Sequence, residues 1–192
     1  FGECQLELGD YDGADSTFAS PAIRQAANEL SVLPGLARWH EIEGRTDVAR
    51  RLLERARDLA RRDSHGLPTE QLAWFQLRVG DFEMRHGRLE AADSALRAGL
   101  RIRPGDYRLL GTLARLELSR GRTAAAIAAG EDAIARVLDP ATLGTLADAY
   151  LQRGDTARSE EYVRAMEVSV LHQPGSYHRA WSLWFLDHDR DV

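Results

Sequence analysis

The chain has 192 residues, 30 acidic against 25 basic side chains, a net charge of −5 and a sequence pI near 5.7, a balance that argues against a dedicated nucleic-acid binder. Its hydrophobic fraction of 44% excludes a disordered chain, and no apolar run approaches the roughly 18 residues that a membrane span requires. The single cysteine, Cys4, excludes an internal disulfide framework and a four-cysteine zinc site.

All 25 basic residues are arginine, spread along the whole chain. The chain opens on Phe1 rather than methionine, so its natural beginning is expected to be missing, and the compartment stays undetermined. The strongest pattern is a loop glycine recurring at Gly9, Gly44, Gly87, Gly121 and Gly154, with steps of 35, 43, 34 and 33 residues. Self-similarity at one such period is the mark of a helical solenoid, in which each unit buries its apolar face against its neighbours.

Setting each glycine at position 15 of a 34-residue frame orders the chain into units. Residues 1–29 form a partial unit that begins inside a first helix, with Phe1 and Gly2 at positions 7 and 8 and Ala14 and Phe18 behind Gly9. Cys4 is expected as a buried thiol in that helix. Ser20-Pro21 and Pro34 make the stretch between Phe18 and Leu36 irregular. The unit at 30–72 places Leu33, Leu36, Ala37, Ala49, Leu53 and Ala56 at packing positions. Its long step carries about nine extra residues around Arg62–Thr69, read as a loop in which Ser64 or Thr69 caps the next helix.

Units at 73–106 and 107–139 follow, with Val79, Gly80, Ala92 and Leu96, then Leu110, Leu113, Ala114 and Ala126. The unit at 140–174 carries Leu143, Leu146, Ala147 and Tyr150, with Ser159 and Val163 behind. A last partial unit at 175–192 supplies one helix with Trp181, Trp184, Phe185 and Leu186, and these four are predicted to form an end-contact surface. Small residues at positions 8 and 20 let the two helices of a unit approach, and bulky ones at 4, 7, 11 and 24 fill the space between units.

These units resemble tetratricopeptide repeats (TPR) over nearly the whole chain. The tail Leu183-Trp184-Phe185-Leu186-Asp187-His188-Asp189 is also similar to a late segment of long bacterial proteins of that family. The resemblance implies an all-α, right-handed superhelical solenoid of antiparallel helix pairs, 1–192 forming a single array. First helices would line a concave groove and second helices the convex back. It implies a non-catalytic scaffold that binds a partner peptide or protein surface. Alternatives are a structural subunit of a larger assembly, or a substrate-recruiting domain of a longer enzyme or regulator. The family's carboxylate clamp for chaperone tails is missing: its positions hold Pro34, Arg38, Arg78, Arg108 and Thr112 in one register, and Leu77, Asp81, Thr112, Ala141 and Thr145 in the next.

Groove-facing positions 2, 5, 9 and 12, with their neighbours, define the candidate partner-binding residues: Arg38, Trp74, Arg78, Asp81, Met84, Arg108, Arg115 and Asp148. Arginines flanking an aromatic make up an interface composition that favours an acidic, partly apolar partner. Glu41, Leu77, Leu151 and Arg179 fall on the same face. The arginine-rich segment from Asp47 to Arg62 spaces opposite charges three and four apart, which reads as a solvated face. No phosphate loop, nucleophile elbow or metalloprotease pair occurs, and the Asp187-His188-Asp189-Asp191 tail matches a metal site in composition only. No catalytic, cofactor or metal site is therefore expected, nor a nucleic-acid partner, while self-association through the C-terminal end is.

Overall fold

The computed structural model describes residues 1–62, 66–171 and 179–188. Among them are twelve α-helices and no strand: α1 Gly2–Leu8, α2 Tyr11–Phe18, α3 Pro21–Gln25, α4 Leu33–Ile42, α5 Thr46–Arg62, α6 Thr69–Arg85, α7 Leu89–Ile102, α8 Tyr107–Ser119, α9 Thr123–Ile134, α10 Pro140–Gln152, α11 Thr156–Leu171 and α12 Arg179–Asp187. The chain divides into two compact units, Phe1–Arg88 and Leu89–Val192.

The helix ends follow from local chemistry. Gly9, Gly44, Gly87, Gly121 and Gly154 all take left-handed φ between 71° and 84°, a region that favours glycine. Each closes a first helix in the same way. The glycine N–H bonds the carbonyl three residues back, as Gly121 to Leu118 at 2.9 Å, and the next N–H reaches five back, as Arg122 to Glu117 at 2.9 Å. These are the paired reverse bonds that satisfy a helix's last carbonyls. The glycine period seen in the sequence is thus a period of helix stops. The starts of α2, α8 and α10 use side-chain oxygens: Asp10 accepts from Gly13 N–H, Asp106 from Arg108 and Leu109, and Asp139 from Thr142 at 2.9 Å.

In the first unit, α1, α2 and α4 bury Leu6, Ala14, Phe18 and Leu36 together, with Trp39 stacked on Phe18 at 5.6 Å between ring centroids. Leu33, Ala56, Ala60 and Phe75 join α4, α5 and α6. In the second unit, α8 packs on α9 and α10, and α10 packs on α11 and α12. One cluster there holds Ala126, Ile127, Leu146, Ala149 and Tyr150; a second holds Leu143, Ala147, Val163, Met166 and Phe185. The small residues expected at close approaches are buried: Ala37 with Ala49, Ala114 with Ala126, and Ala147 with Ser159.

Three expectations change. Cys4 is exposed, because α1 turns Gly2 and Leu6 inward and Cys4 lies some 200° around the helix from Gly2. Phe1, expected at a packing position, is 90% exposed. The residue before α6 is Pro68, with no side-chain cap, and the Thr69 hydroxyl turns instead to Glu70 at 3.5 Å. Ser64, the other predicted cap, lies outside the described residues, as do Asp63, His65, 172–178 and 189–192.

Position 11, where a bulky residue is expected, holds glutamate in two units. Glu83 is buried and accepts from Arg50 at 2.9 and 3.0 Å, with the Arg88 guanidinium also against it. Glu117 is equally buried and faces Arg97 at 3.1 Å, Arg122 at 3.3 Å and Arg120 at 4.0 Å. Arg88 and Arg122 are the residues just after the stop glycines, so helix end and ion pair form one structure. A buried carboxylate survives only with such compensation. Arg50 thus leaves the solvated face predicted for α5 and serves Glu83. In the last full unit Tyr150 takes the same place: its hydroxyl donates to Glu131 at 2.6 Å, and its ring stacks on Tyr162 at 5.4 Å. Burial, and then the Glu131 charge, push the Tyr162 phenol up to about 12.

Candidate functional site

The first helices α8, α10 and α12 lie side by side in the second unit and enclose an open cleft of about 470 Å³. Two glycines set its floor. A Cβ on Gly144 would meet Trp184 Cδ1 at 2.7 Å, and one on Gly111 would run into the Thr142 hydroxyl. Both occupy position 5 of their units, so close approach of neighbouring first helices depends on the missing side chains.

Arg108, Arg115 and Asp148, predicted for the groove, all line this cleft. Arg108 is held by the carboxylate that caps its own helix, with Nε to Asp106 Oδ1 at 3.2 Å and Nη2 to Oδ2 at 2.8 Å. Burial disfavours the charge on Asp106, but the bonds from Arg108 and from backbone N–H groups outweigh it, and its carboxyl lies below the usual range. Arg115 is exposed at the same wall. Opposite stands Asp148, whose Oδ1 accepts from Trp184 Nε1 at 2.9 Å and lies 2.9 Å from His188 Nε2. Burial raises the Asp148 carboxyl above its ordinary value, and these two partners only partly offset it.

Trp184 stacks on His188 with centroids 4.0 Å apart, and α12 therefore forms the cleft's second wall with Leu183, Trp184 and Asp187. Of the four aromatic and apolar residues predicted as an end surface, Phe185 is buried against α10 and α11 and Trp184 turns to the cleft. Trp181 is half-buried on the same cluster, and Leu186 is 62% exposed.

Arg38, Trp74, Arg78, Asp81 and Met84 belong to the first unit. Arg38 donates to Glu41 at 3.2 Å, and Arg85 reaches the same carboxylate at 3.0 Å while pairing with Asp81. The Arg78 guanidinium lies over the Trp74 ring at 5.6 Å, with its Nε buried and unbonded. Met84 is half-buried on α6, and Leu151 is exposed on α10. The Arg179 side chain, Asp189 and Asp191 lie outside the described residues. Among the described residues no group of three His, Cys, Asp or Glu is placed to hold a metal ion, and no helix is long and apolar enough to cross a membrane.

The chain superposes on several solved helical-repeat proteins. A crystal structure of BtubC from P. vanneervenii matches over 92% of this chain and 79% of its own, with a TM-score of 0.68 at 20% identity. The fold is that of tetratricopeptide-repeat proteins. A chain of the APC/C Cut9–Hcn1 hetero-tetramer matches 98% of this chain and 35% of its own length, with a TM-score of 0.70 at 19% identity. YrrB, described as a TPR protein with an unusual peptide-binding site, matches 91% of this chain and 84% of its own, with a TM-score of 0.55 at 10% identity. No protein-family model matches the sequence, and no curated protein does.

In the 34-residue frame the buried glutamates were missed by sequence reasoning. The signal that could have found them is the pairing of Glu at position 11 with Arg at position 16 in two successive units, Glu83-Arg88 and Glu117-Arg122.

Proposed function

We propose that the chain is a non-catalytic scaffold, 1–192 forming one array, that holds an extended segment of a partner protein in the cleft between α8, α10 and α12. The observation that carries this reading is the cleft itself, about 470 Å³, floored by Gly111 and Gly144 and walled by Arg108, Arg115, Asp148 and Trp184. The two glycines let the first helices pack closely around the cleft, and its polar and charged side chains supply orientation for a bound segment. The resemblance to YrrB supports the same use of the fold.

The cluster of Arg38, Trp74, Arg78, Asp81 and Met84 is a second candidate contact surface, belonging to the first unit alone. The Arg78 guanidinium stacked on Trp74 suits an acidic group of the partner. A structural subunit that assembles through α12 is a second reading, favoured by the exposed Leu183 and Leu186.

The test is selection of a displayed random-peptide library on the chain, followed by binding to Ala141→Trp. Ala141 is an exposed residue lining the cleft, so an indole there fills the space without entering a core. Selected peptides should bind the variant at least tenfold more weakly at unchanged helicity. Equal binding would move the site out of the cleft.

A further inference from the structure

Arg78 stands apart from the other arginines of the first unit. Arg38, Arg50, Arg57 and Arg88 are half-buried as it is, and each holds a carboxylate: Glu41, Glu83, Asp58 and Glu83 in turn. Arg78 pairs with none among the described residues, and its guanidinium lies over the Trp74 ring with Nε buried and unbonded. A guanidinium drawn partly out of water without an anion is disfavoured, and an anion supplied by a partner relieves that. The exposed Arg51 and Arg55 have no such deficit, because water solvates them.

The surroundings decide which anion fits. Trp74, Arg78, Asp81 and Arg85 follow one another on one face of α6, at spacings of four, three and four. The carboxylates of α4 and α6 are engaged elsewhere: Glu41 by Arg38 and Arg85, Asp81 by Arg85, Glu83 by Arg50 and Arg88, and Glu70 by the Thr69 hydroxyl. Arg38, Arg78 and Arg85 thus stand against Glu41 and Asp81, and this face lacks a single negative charge. One carboxylate supplies it. A phosphate dianion would bring excess charge beside Asp81, and its recognition uses clustered arginines rather than one uncommitted guanidinium. With Nε sealed, the two Nη groups are the edge left to a ligand. They form a planar fork that matches one carboxylate, and the indole beneath holds that fork in place.

We propose that Arg78, laid on Trp74, anchors a single Asp or Glu side chain of a partner protein, taken end-on by Nη1 and Nη2. This rests on the reading of the chain as a scaffold. It gives the first-unit surface a ligand chemistry of its own, independent of the cleft.

The experiment selects the displayed random-peptide library on Ala141→Trp, in which the cleft is filled. End-blocked synthetic copies of the selected peptides are then measured on that chain with and without Arg78→Gln or Arg78→Lys. Neither change breaks an ion pair among the described residues, so helicity should hold. Selected peptides should carry one Asp or Glu whose exchange for its amide weakens binding at least tenfold. Arg78→Gln should weaken the acidic peptide as much and leave the amide peptide unchanged, the coupling of a direct pair. Arg78→Lys should stay at least fivefold weaker than Arg78, since an ammonium is a point charge rather than a fork. Phosphoserine in place of the acid should bind more weakly.

A merely structural Arg78 would weaken acidic and amide peptides alike, which overturns the proposal. Acidic peptides indifferent to Arg78→Gln, selected peptides without an acid, or no selected peptide at all overturn it too, and leave the cleft to stand on peptides selected on the wild type. Tighter binding of phosphoserine overturns the carboxylate assignment in favour of a phosphate. Wild-type peptides that Ala141→Trp and Arg78→Gln both leave intact overturn the cleft and this anchor together.

Discussion

Gly144→Ala inverts its effect depending on Trp184. In the interior of α10 an alanine is favoured over glycine by about 0.5–1 kcal/mol, because glycine loses more backbone freedom on folding. The added methyl would stand 2.7 Å from Trp184 Cδ1, well inside van der Waals contact. That ring has little room to yield: its Nε1 is bonded to Asp148, His188 is stacked on it, and neighbouring Phe185 is buried. Overpacking of this kind costs about 1–3 kcal/mol, so the single variant should be destabilised by up to about 2 kcal/mol. In a Trp184→Ala background the obstacle is gone, and Gly144→Ala should stabilise by about 0.5–1 kcal/mol. Urea denaturation followed by circular dichroism at all four corners of this cycle measures the difference, an interaction of about 1–3 kcal/mol. If Gly144→Ala stabilises both backgrounds equally, Trp184 does not rest on this glycine, and the account of the cleft floor is wrong.

Gly121→Ala meets no atom within 4 Å, so its penalty is backbone strain alone. It should lower stability by about 1–2 kcal/mol, and thermal denaturation beside Gly121→Asn, which tolerates the left-handed region better, should show the smaller loss for asparagine. Glu117→Gln removes the buried charge that faces three arginines, two of them half-exposed. A loss of about 1–2 kcal/mol, below the usual figure for a fully buried pair, is expected in denaturant unfolding. Asp148 has a raised carboxyl pKa, so its contribution favours the fold at low pH and is lost as pH rises through the folded-state value. Asp148→Asn keeps an acceptor for Trp184 and should gain stability relative to wild type between about pH 4 and pH 7, with the two converging below pH 4. A gap that widens on acidification would contradict that assignment.

The helix pairs were legible because their stops obey backbone rules: only glycine takes φ above 70° at Gly9, Gly44, Gly87, Gly121 and Gly154 without strain, so the repeat is written in one residue type. The small pairs such as Ala114 with Ala126 were legible for the same steric reason. Glu83 and Glu117 were not, because a charge at a packing position reads as solvated until the arginines that neutralise it are known to converge. Cys4 was misplaced because one turn of helix decides inside from outside, and α1 has few apolar residues to fix its phase. The cleft was legible only as a set of groove-facing positions. That Arg108 is committed to Asp106, and that Trp184 enters the cleft over Gly144, depends on contacts between residues 36 or more apart or on a cap whose side chain serves two roles.

The most direct test of the cleft is photocrosslinking from two positions on the chain in its native cell extract. A photoreactive amino acid at Ala141 sits in the cleft, and one at the exposed Ala128 sits on α9, which contributes nothing to the cleft lining. Binding in the cleft predicts one discrete partner joined through Ala141, displaced by a selected peptide, with no such product from Ala128. A partner joined through Ala128, or an Ala141 product that the peptide does not displace, would contradict it.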